Sequence, residues 1–241
     1  MSDRQSDTPT PAPTAFAVVI PAAGTGTRMG GRKKPYLELL GRPILYHTIE
    51  RLQRAPGCGQ VVPVVHADEH GGSELAQGLR ERFGIERLAL GGPTRQASVL
   101  AGLGLVEEAG IVLIHDAVRP LVDPGVVQRV ADAAARFGGA CAAVPATDTV
   151  KQVGQGDRIE RTPPRERLWF ARTPQGFRRE LALRAHYAAR EEGFCGTDDA
   201  QLVERIGGEV RVVQDTYDNL KITTAEDLAI AEAILRWRRE G

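Results

Sequence analysis

The chain has 241 residues, of which 42% are hydrophobic and 26% charged, as in an ordinary globular enzyme. Lys and Arg together number 31, as do Asp and Glu, so no broad attraction to nucleic acid or to a membrane surface is expected. Cys58, Cys141 and Cys195 form no CxxC pair, which argues against a disulfide framework and a zinc site. No apolar run approaches the roughly 18 residues of a membrane span. We therefore expect a cytoplasmic protein.

The first segment, MSDRQSDTPTPAPT (1–14), is polar and rich in Pro and Thr. It lacks the apolar core of a signal peptide and is expected to be a disordered leader. The remainder, 15–241, has a suitable length for a single α/β domain.

Short apolar runs then alternate with longer amphipathic segments. The predicted strands cover 16–21, 61–66, 87–90, 111–117, 140–146 and 210–215. The predicted helices cover 43–55, 73–84, 95–107, 124–137, 178–191, 198–207 and 224–239. Several strands are apolar without alternation, as expected of parallel strands covered on both faces. The order predicts a Rossmann-like, doubly wound, mostly parallel α/β sheet.

One segment, 146–169, interrupts this alternation with two short extended stretches around the turn GQGD. It is too polar to lie inside the sheet, so it is expected to protrude as a β-arm. Two interpretations remain open from composition: an exposed hairpin without a role, or an arm that reaches a partner subunit.

The stretch PAAGTGTRMG (21–30) follows the first strand and is typical of a phosphate-binding loop. It fits neither the Walker fingerprint nor the dinucleotide fingerprint. Gly24 and Gly26 leave backbone N–H groups open to an anion, and Arg28 and Lys34 add positive charge nearby. Separate cations suit the distributed charge of a triphosphate.

Two further strand ends carry candidate site residues, and in open α/β sheets such ends meet at the ligand site. In GGPTRQASV (91–99), Arg95 and Ser98 are candidates to close over a base and ribose. The alternative is a plain turn before a helix capped by Thr94. Asp116 ends an apolar strand, where a buried carboxylate needs a partner. That partner is Mg²⁺, a substrate hydroxyl or, more simply, Arg119.

The sequence contains no GxSxG, HExxH or Cys/His arrangement that would support covalent catalysis or metal hydrolysis. A phosphate monoester, whose second pKa is about 6, is itself an anionic nucleophile at neutral pH. It can attack the α-phosphorus of a nucleoside triphosphate if cations position both anions.

The chain resembles the 2-C-methyl-D-erythritol 4-phosphate cytidylyltransferase family from about residue 15 to about residue 238. The resemblance lies in the motifs PAAGTGTRMG, KKPYL, GGPTRQASV, HDAVRP, ATDTVK, LWFARTPQGF, TDDAQLVE and DNLKIT. The first motif marks only the wider nucleotidyltransferase class. The combination of HDAVRP, TPQGF and NLKIT in this order is much more specific.

The resemblance implies roles for individual residues. Arg28 and Lys34 would contact the triphosphate and stabilise its transition state, while Arg165 and Lys221 would position the attacking phosphate. The residues implied around the cytidine of CTP are Pro21, Ala22, Ala23, Gly24, Gly91, Gly92, Arg95 and Ser98. Those implied for the polyol phosphate are Asp116, Arg119, Thr149 and Thr173.

The resemblance also implies a Mg²⁺-dependent homodimer in which the 146–169 arm crosses to the partner. The ion would be held mainly by the CTP phosphates, with Asp116 as a candidate protein ligand. The sequence departs from the family pattern at Pro93, where the family usually has an Asp that can accept from the cytosine amine. Val118 likewise replaces a commoner Ala.

Two alternatives are weighed against this assignment. A cytidylyltransferase for another polyol phosphate, such as ribitol 5-phosphate, would share the fold and the chemistry. A dinucleotide-dependent oxidoreductase would need an acidic residue at the end of the second strand. Glu38 and Glu50 are near the required spacing but lie in or beside the first helical stretch and not at a strand end.

Overall fold

The computed structural model describes residues 12–24 and 34–240. Residues 1–11 of the predicted leader and Arg28 of the glycine-rich loop lie outside the described residues. Thr14, the last residue of the predicted leader, accepts a hydrogen bond from Gln128 and donates one to Asp132, both of which lie on a later helix.

The strands and helices alternate along the chain as predicted. The strands are β1 (Phe16–Pro21), β2 (Glu38–Leu39), β3 (Arg42–Pro43), β4 (Cys58–Val65), β5 (Ala89–Leu90), β6 (Ile111–Ile114), β7 (Gly139–Pro145), β8 (Gln152–Val153), β9 (Ile159–Arg161), β10 (Trp169–Arg178) and β11 (Arg211–Gln214). The helices are α1 (Ile44–Gln53), α2 (Glu74–Phe83), α3 (Arg95–Leu103), α4 (Pro124–Phe137), α5 (Arg179–Glu191), α6 (Asp199–Arg205) and α7 (Ala225–Glu240).

The central sheet has seven strands in the order β11-β7-β10-β6-β1-β4-β5. β10 is antiparallel to β6 and β7, and the other neighbouring pairs are parallel. The predicted mostly parallel, doubly wound sheet is therefore confirmed. Two apolar clusters cover its faces, one built around Leu45, Ile49 and Val130, the other around Val99 and Leu103.

The sequence did not predict β10, the longest strand of the sheet. Pro174 cannot donate a ladder hydrogen bond, and a Pro within an extended run argues against a central strand. The structure accommodates it by a register shift against β7 between Ala171 and Gln175. Polar residues on both sides of Pro174 further hide the strand from an apolar pattern.

Local hydrogen bonds and backbone conformation set the ends of two other elements, α4 and β6. α4 begins where Asp123 accepts from the N–H groups of Gly125 and Val126, and it ends before Gly138, whose φ is 99°. β6 ends at Ile114, earlier than the predicted residue 117, because the chain turns there and the Arg119 N–H bonds to the Asp116 carbonyl.

The predicted β-arm is present as the hairpin of β8 and β9, which is separate from the central sheet. Its turn includes Gly156 in the left-handed region at φ 67°. Val153 and Ile159 are exposed on the arm. Among the described residues, no helix is both long and apolar enough to cross a membrane.

β1 lies between β4 and β6, so the winding of the chain reverses at this strand. Ligands of such sheets bind beyond the carboxyl ends of the strands at the reversal point. The ends of β1, β4, β5 and β6 consequently meet at one edge of the sheet, which is where the candidate residues were predicted.

Candidate active site

A cleft of about 500 Å³ opens at this edge of the sheet. It is lined by Pro21, Ala23, Gly24, Lys34, Pro35, His66, Ala67, Gly91, Gly92, Pro93, Thr94, Arg95, Ser98, Asp116, Ala117, Val118 and Lys221. Most of the predicted nucleotide residues therefore lie together with Lys34, Asp116 and Lys221. Ala22, Arg119, Thr149, Arg165 and Thr173 are not part of this lining.

One half of the cleft is lined by two glycines, Gly91 and Gly92, that pack closely against alanines. A Cβ atom on Gly91 would lie 2.0 Å from the Ala23 Cβ, and one on Gly92 would lie 2.7 Å from the Ala97 Cβ. Neither position therefore accepts a side chain without displacement of its neighbours. At these two residues the wall of the cleft is therefore backbone without a side chain, and this part of the cleft is called the backbone slot.

Hydrogen bonds of Ser98 and Thr94 fix the backbone of this slot. The Ser98 hydroxyl accepts from the Gly92 N–H at 3.1 Å and donates to the Thr94 carbonyl at 2.9 Å. Thr94 caps α3 by accepting from the Ala97 N–H at 3.0 Å, as the alternative interpretation of this segment proposed. Ser98 is only 4% exposed, so its side chain shapes the slot from inside the protein.

The first loop is fixed by Tyr36, which the sequence analysis did not single out. Its hydroxyl donates to the Ala22 carbonyl at 3.1 Å, and burial raises the pKa of the phenol to about 12. Ala22 itself is 1% exposed and packs into the core. Lys34 stands at the start of the short helical turn that carries Tyr36, beside the cleft.

Asp116 is the charged centre of the other half. Its carboxylate lies 3.0 Å from the Lys221 Nζ and 3.4 Å from the Arg95 Nε. The predicted ion pair with Arg119 is present as well, at 3.5 Å. Burial by itself would raise the pKa of the Asp116 carboxyl, but these three cations outweigh burial and hold the pKa well below its usual range. The carboxylate is therefore ionised at any physiological pH.

Arg119 and Thr173 support Asp116 from the protein interior. The Arg119 Nη1 donates to the Asn219 carbonyl at 2.8 Å, and the Thr173 Oγ1 accepts from the Asp116 N–H at 3.0 Å. Arg119 is 8% exposed and Thr173 is 5% exposed. The structure thus places both behind the cleft wall that they were predicted to line.

Thr149 and Arg165 lie with the arm, both exposed and outside the cleft lining of this chain. The Arg165 Nη1 donates to the Thr147 carbonyl at 3.0 Å, which fastens the end of the arm to its beginning. Trp169 and Phe170, which follow the arm, are exposed aromatic residues.

The sequence analysis quoted TDDAQLVE as a motif but assigned no role to its carboxylates. Asp199 of this motif is 2% exposed, and its Oδ2 accepts from the Arg95 Nη1 at 2.8 Å. Its other oxygen lies 3.3 Å from the Nε2 of His186. Adjacent acidic residues at a helix start are typical caps, so nothing in the pattern distinguished Asp199 from its neighbour.

Comparison with known proteins shows the family to which the chain is similar. A family model described as IspD, 2-C-methyl-D-erythritol 4-phosphate cytidylyltransferase, matches residues 16–237. A protein of that name from Pelotomaculum thermopropionicum is 43% identical over 228 residues, which cover 92% of this chain and 95% of the relative. One from Desulforamulus reducens is 45% identical over 92% of this chain and 97% of the relative.

Solved structures agree on the fold. The crystal structure of 4-diphosphocytidyl-2C-methyl-D-erythritol synthase from Anaerococcus prevotii has a TM-score of 0.82 at 29% identity, covering 92% of this chain and 96% of that chain. The 2-C-methyl-D-erythritol 4-phosphate cytidylyltransferase from Thermus thermophilus has a TM-score of 0.76 at 35% identity, covering 92% and 100%. From the family match, the sequence identity and the shared fold, the chain belongs to the 2-C-methyl-D-erythritol 4-phosphate cytidylyltransferase family.

Proposed function

We propose that the protein transfers the cytidylyl group of CTP to 2-C-methyl-D-erythritol 4-phosphate and releases pyrophosphate, as a step of isoprenoid precursor biosynthesis. The observation that carries this proposal is the division of the cleft. A slot of backbone at Gly91 and Gly92 adjoins a cluster of cations around the ionised Asp116. A nucleotide base suits the first half, and a phosphorylated polyol suits the second.

In this proposal the acceptor phosphate is the nucleophile. One of its oxygens forms a bond to the α-phosphorus of CTP while the bond from that phosphorus to the bridging oxygen breaks, and pyrophosphate carries away the electron pair. No protein base is needed because the monoester is already anionic. The contribution of the protein is to align the two anions and to neutralise the charge that develops.

Each candidate residue then has a role that its position supports. Lys34 stands beside the cleft where the triphosphate would enter, and Arg28 is proposed to act with it. The ionised Asp116 would accept hydrogen bonds from polyol hydroxyls. Lys221, 3.0 Å from that carboxylate, would contact the phosphate of the same acceptor. Arg119 and Thr173 would hold Asp116 in place.

Mg²⁺ fits this site only if the substrate phosphates supply most of its ligands. The described residues hold no group of three or more His, Cys, Asp or Glu side chains that could cage a metal ion. The oxygens of Asp116 are already paired with Arg95, Arg119 and Lys221. Mg²⁺ commonly binds through substrate phosphates with one or two carboxylates, and there it neutralises phosphate charge. We propose that the CTP phosphates would hold the ion, with Asp116 as the candidate protein ligand.

We further propose a cytoplasmic homodimer in which the arm of one subunit completes the site of the other. Two observations support this arrangement. The arm exposes Val153 and Ile159, which a neighbour would cover. Arg165 and Thr149, which the family resemblance places at the acceptor, lie outside the cleft of their own chain.

The proposed reaction is tested by incubating the purified protein with Mg²⁺, each of the four nucleoside triphosphates and a panel of sugar and polyol phosphates. Pyrophosphate release and the nucleotide product are measured. We expect turnover with CTP and 2-C-methyl-D-erythritol 4-phosphate. Preferential turnover of ribitol 5-phosphate would replace the acceptor, and no turnover of any pair would overturn the proposal.

A further inference from the structure

The Arg95 side chain is fixed by two carboxylates that approach it from different elements. Its Nη1 donates to the Asp199 Oδ2 at 2.8 Å, and its Nε lies 3.4 Å from the Asp116 Oδ1. Two anchored donors fix the plane of a guanidinium, because the group is rigid and its donors have set directions. Within the described residues, the Arg95 Nη2 has no protein hydrogen-bond partner. Arg95 lines the cleft, and together with Asp199 it also lines a smaller neighbouring pocket.

Asp199 does not serve as the cap of α6, although it stands at the helix start. The cap is Asp198, whose Oδ1 accepts from the Gln201 N–H at 2.9 Å. The N–H groups of Asp199 and Ala200 donate instead to the Gln175 Oε1 at 3.1 and 2.9 Å. Gln175 satisfies these backbone groups, and the Asp199 carboxylate pairs with Arg95 through one oxygen and lies 3.3 Å from the His186 Nε2 through the other.

Burial of the Asp199 carboxylate costs free energy, which its partners must offset. The residue is 2% exposed and does not line the cleft. A buried carboxylate is stable only when it is paired, and Asp199 pairs with Arg95, which lines the cleft and also contacts Asp116. Asp198 already caps α6, so helix capping does not account for Asp199.

We propose that Asp199 is a positioning residue for the transfer reaction. It acts through Arg95, holding the guanidinium at the boundary between the nucleotide slot and the acceptor half so that Nη2 meets a substrate phosphate oxygen. This inference rests on the proposed function for its substrates, but the Arg95–Asp199 contact is testable without turnover.

The kinetic test is a double-mutant cycle of Asp199→Asn and Arg95→Ala, with kcat and KM measured for CTP and for the acceptor. Loss of a charge-assisted hydrogen bond typically changes an equilibrium or rate constant by about 10- to 100-fold. Asp199→Asn should therefore lower kcat/KM by about that factor. In the Arg95→Ala background the same change should have less than about a twofold effect. Additive losses would mean that Asp199 acts by another route and would overturn the proposal.

The capping carboxylate of another helix supplies the control. Asp123→Asn alters the start of α4 but contacts neither Arg95 nor the cleft, and its amide oxygen can still accept from Gly125 and Val126. We expect kcat/KM within about twofold of the parent chain. If Asp123→Asn lowers kcat/KM as much as Asp199→Asn, the loss reflects a general disturbance of the fold and not the contact with Arg95. Should Asp199→Asn fail to fold, the cycle is run with Asp199→Glu, which keeps the charge but displaces it.

A spectroscopic measurement separates this inference from the proposed reaction. In ¹⁵N-edited NMR spectra, the Arg95 side-chain N–H signal is identified by its absence in Arg95→Lys. We expect it to exchange slowly with solvent in the parent chain and at least about tenfold faster in Asp199→Asn, because an anchoring acceptor is lost. An unchanged exchange rate would overturn the positioning role even if the enzyme turns over CTP. Anchoring without any turnover would instead overturn the proposed function.

Discussion

Thr173 and Gln175, separated only by Pro174 on β10, each hold one of the two carboxylate residues that fix Arg95. The Thr173 Oγ1 accepts from the Asp116 N–H at 3.0 Å, and the Gln175 Oε1 accepts from the Asp199 N–H at 3.1 Å. The antiparallel strand β10 thus positions both carboxylate residues of the candidate active site from the protein interior. Both side chains are nearly buried, at 5% and 1% exposure, so their effect on the cleft is indirect.

Replacement of Lys221 by Met should nearly abolish turnover while leaving the fold intact. Loss of a preorganised charge at a developing transition state costs about 100-fold or more in kcat. Stability should change little, because the Lys221 side chain is 44% exposed and Asp116 keeps Arg95 and Arg119 as partners. Steady-state kinetics and thermal unfolding measure the two effects. The control is Arg211→Met, which removes an exposed surface pair with Glu209. Near-normal kcat in Lys221→Met would remove Lys221 from the reaction.

His115 should make the protein less stable as the pH falls below neutrality. Its Nε2 donates to the Arg119 carbonyl at 3.1 Å, while its Nδ1 is buried without a hydrogen-bond partner among the described residues. Burial lowers the pKa of His115 from 6.5 to about 4. Between these two values the unfolded chain binds a proton that the folded chain does not. The free energy of unfolding should therefore fall by roughly 3 kcal/mol over that range.

The measurement for His115 is urea unfolding at several pH values from 7 down to 4. In His115→Gln, whose amide can still donate to the Arg119 carbonyl, the pH dependence should be shallower by the contribution of this residue. Comparison with the parent chain removes the effect of the carboxylates, which both proteins share. Parallel curves for the two proteins would show that His115 does not titrate as argued.

The sequence predicted those parts of the molecule whose causes are local. β1 and α4 were predicted with their observed bounds, since an apolar run and an Asp-Pro start with a Gly stop determine them. The convergence of Gly91, Asp116 and Lys34 followed from the rule for strand ends. β10 and Asp199 were missed because both depend on distant partners. β10 pairs with β6 and β7, and Asp199 pairs with Arg95.

Replacement of Pro93 by Asp tests how the base is recognised. Pro93 is exposed and lines the cleft beside the backbone slot of Gly91 and Gly92. A carboxylate there can accept from the amino group of cytosine and would repel the carbonyl oxygen of uracil. We expect CTP turnover to be retained and discrimination against UTP to rise by about fivefold or more. Pro93→Asn, which lacks the charge, is the control. A large loss of CTP turnover in Pro93→Asp would mean that the proline ring itself shapes the slot.

The last prediction concerns the proposed sharing of sites between subunits. Lys34 lines the cleft, whereas Arg165 is exposed near the end of the arm and is absent from the cleft lining of its own chain. If the arm crosses to a neighbour, each site combines Lys34 of one subunit with Arg165 of the other. Lys34→Ala and Arg165→Ala should then each be nearly inactive alone.

Unfolding and refolding the two variants together should restore activity. Random pairing makes about half of the dimers mixed, and two-fold symmetry gives each mixed dimer two different composite sites. In one of them the intact arm of the Lys34→Ala subunit meets the intact loop of the Arg165→Ala subunit, while the other site carries both lesions. The mixture should therefore regain about a quarter of the activity of the parent enzyme. If mixed dimers form, as shown by differently tagged subunits, and activity stays at the level of the single variants, Arg165 acts within its own chain.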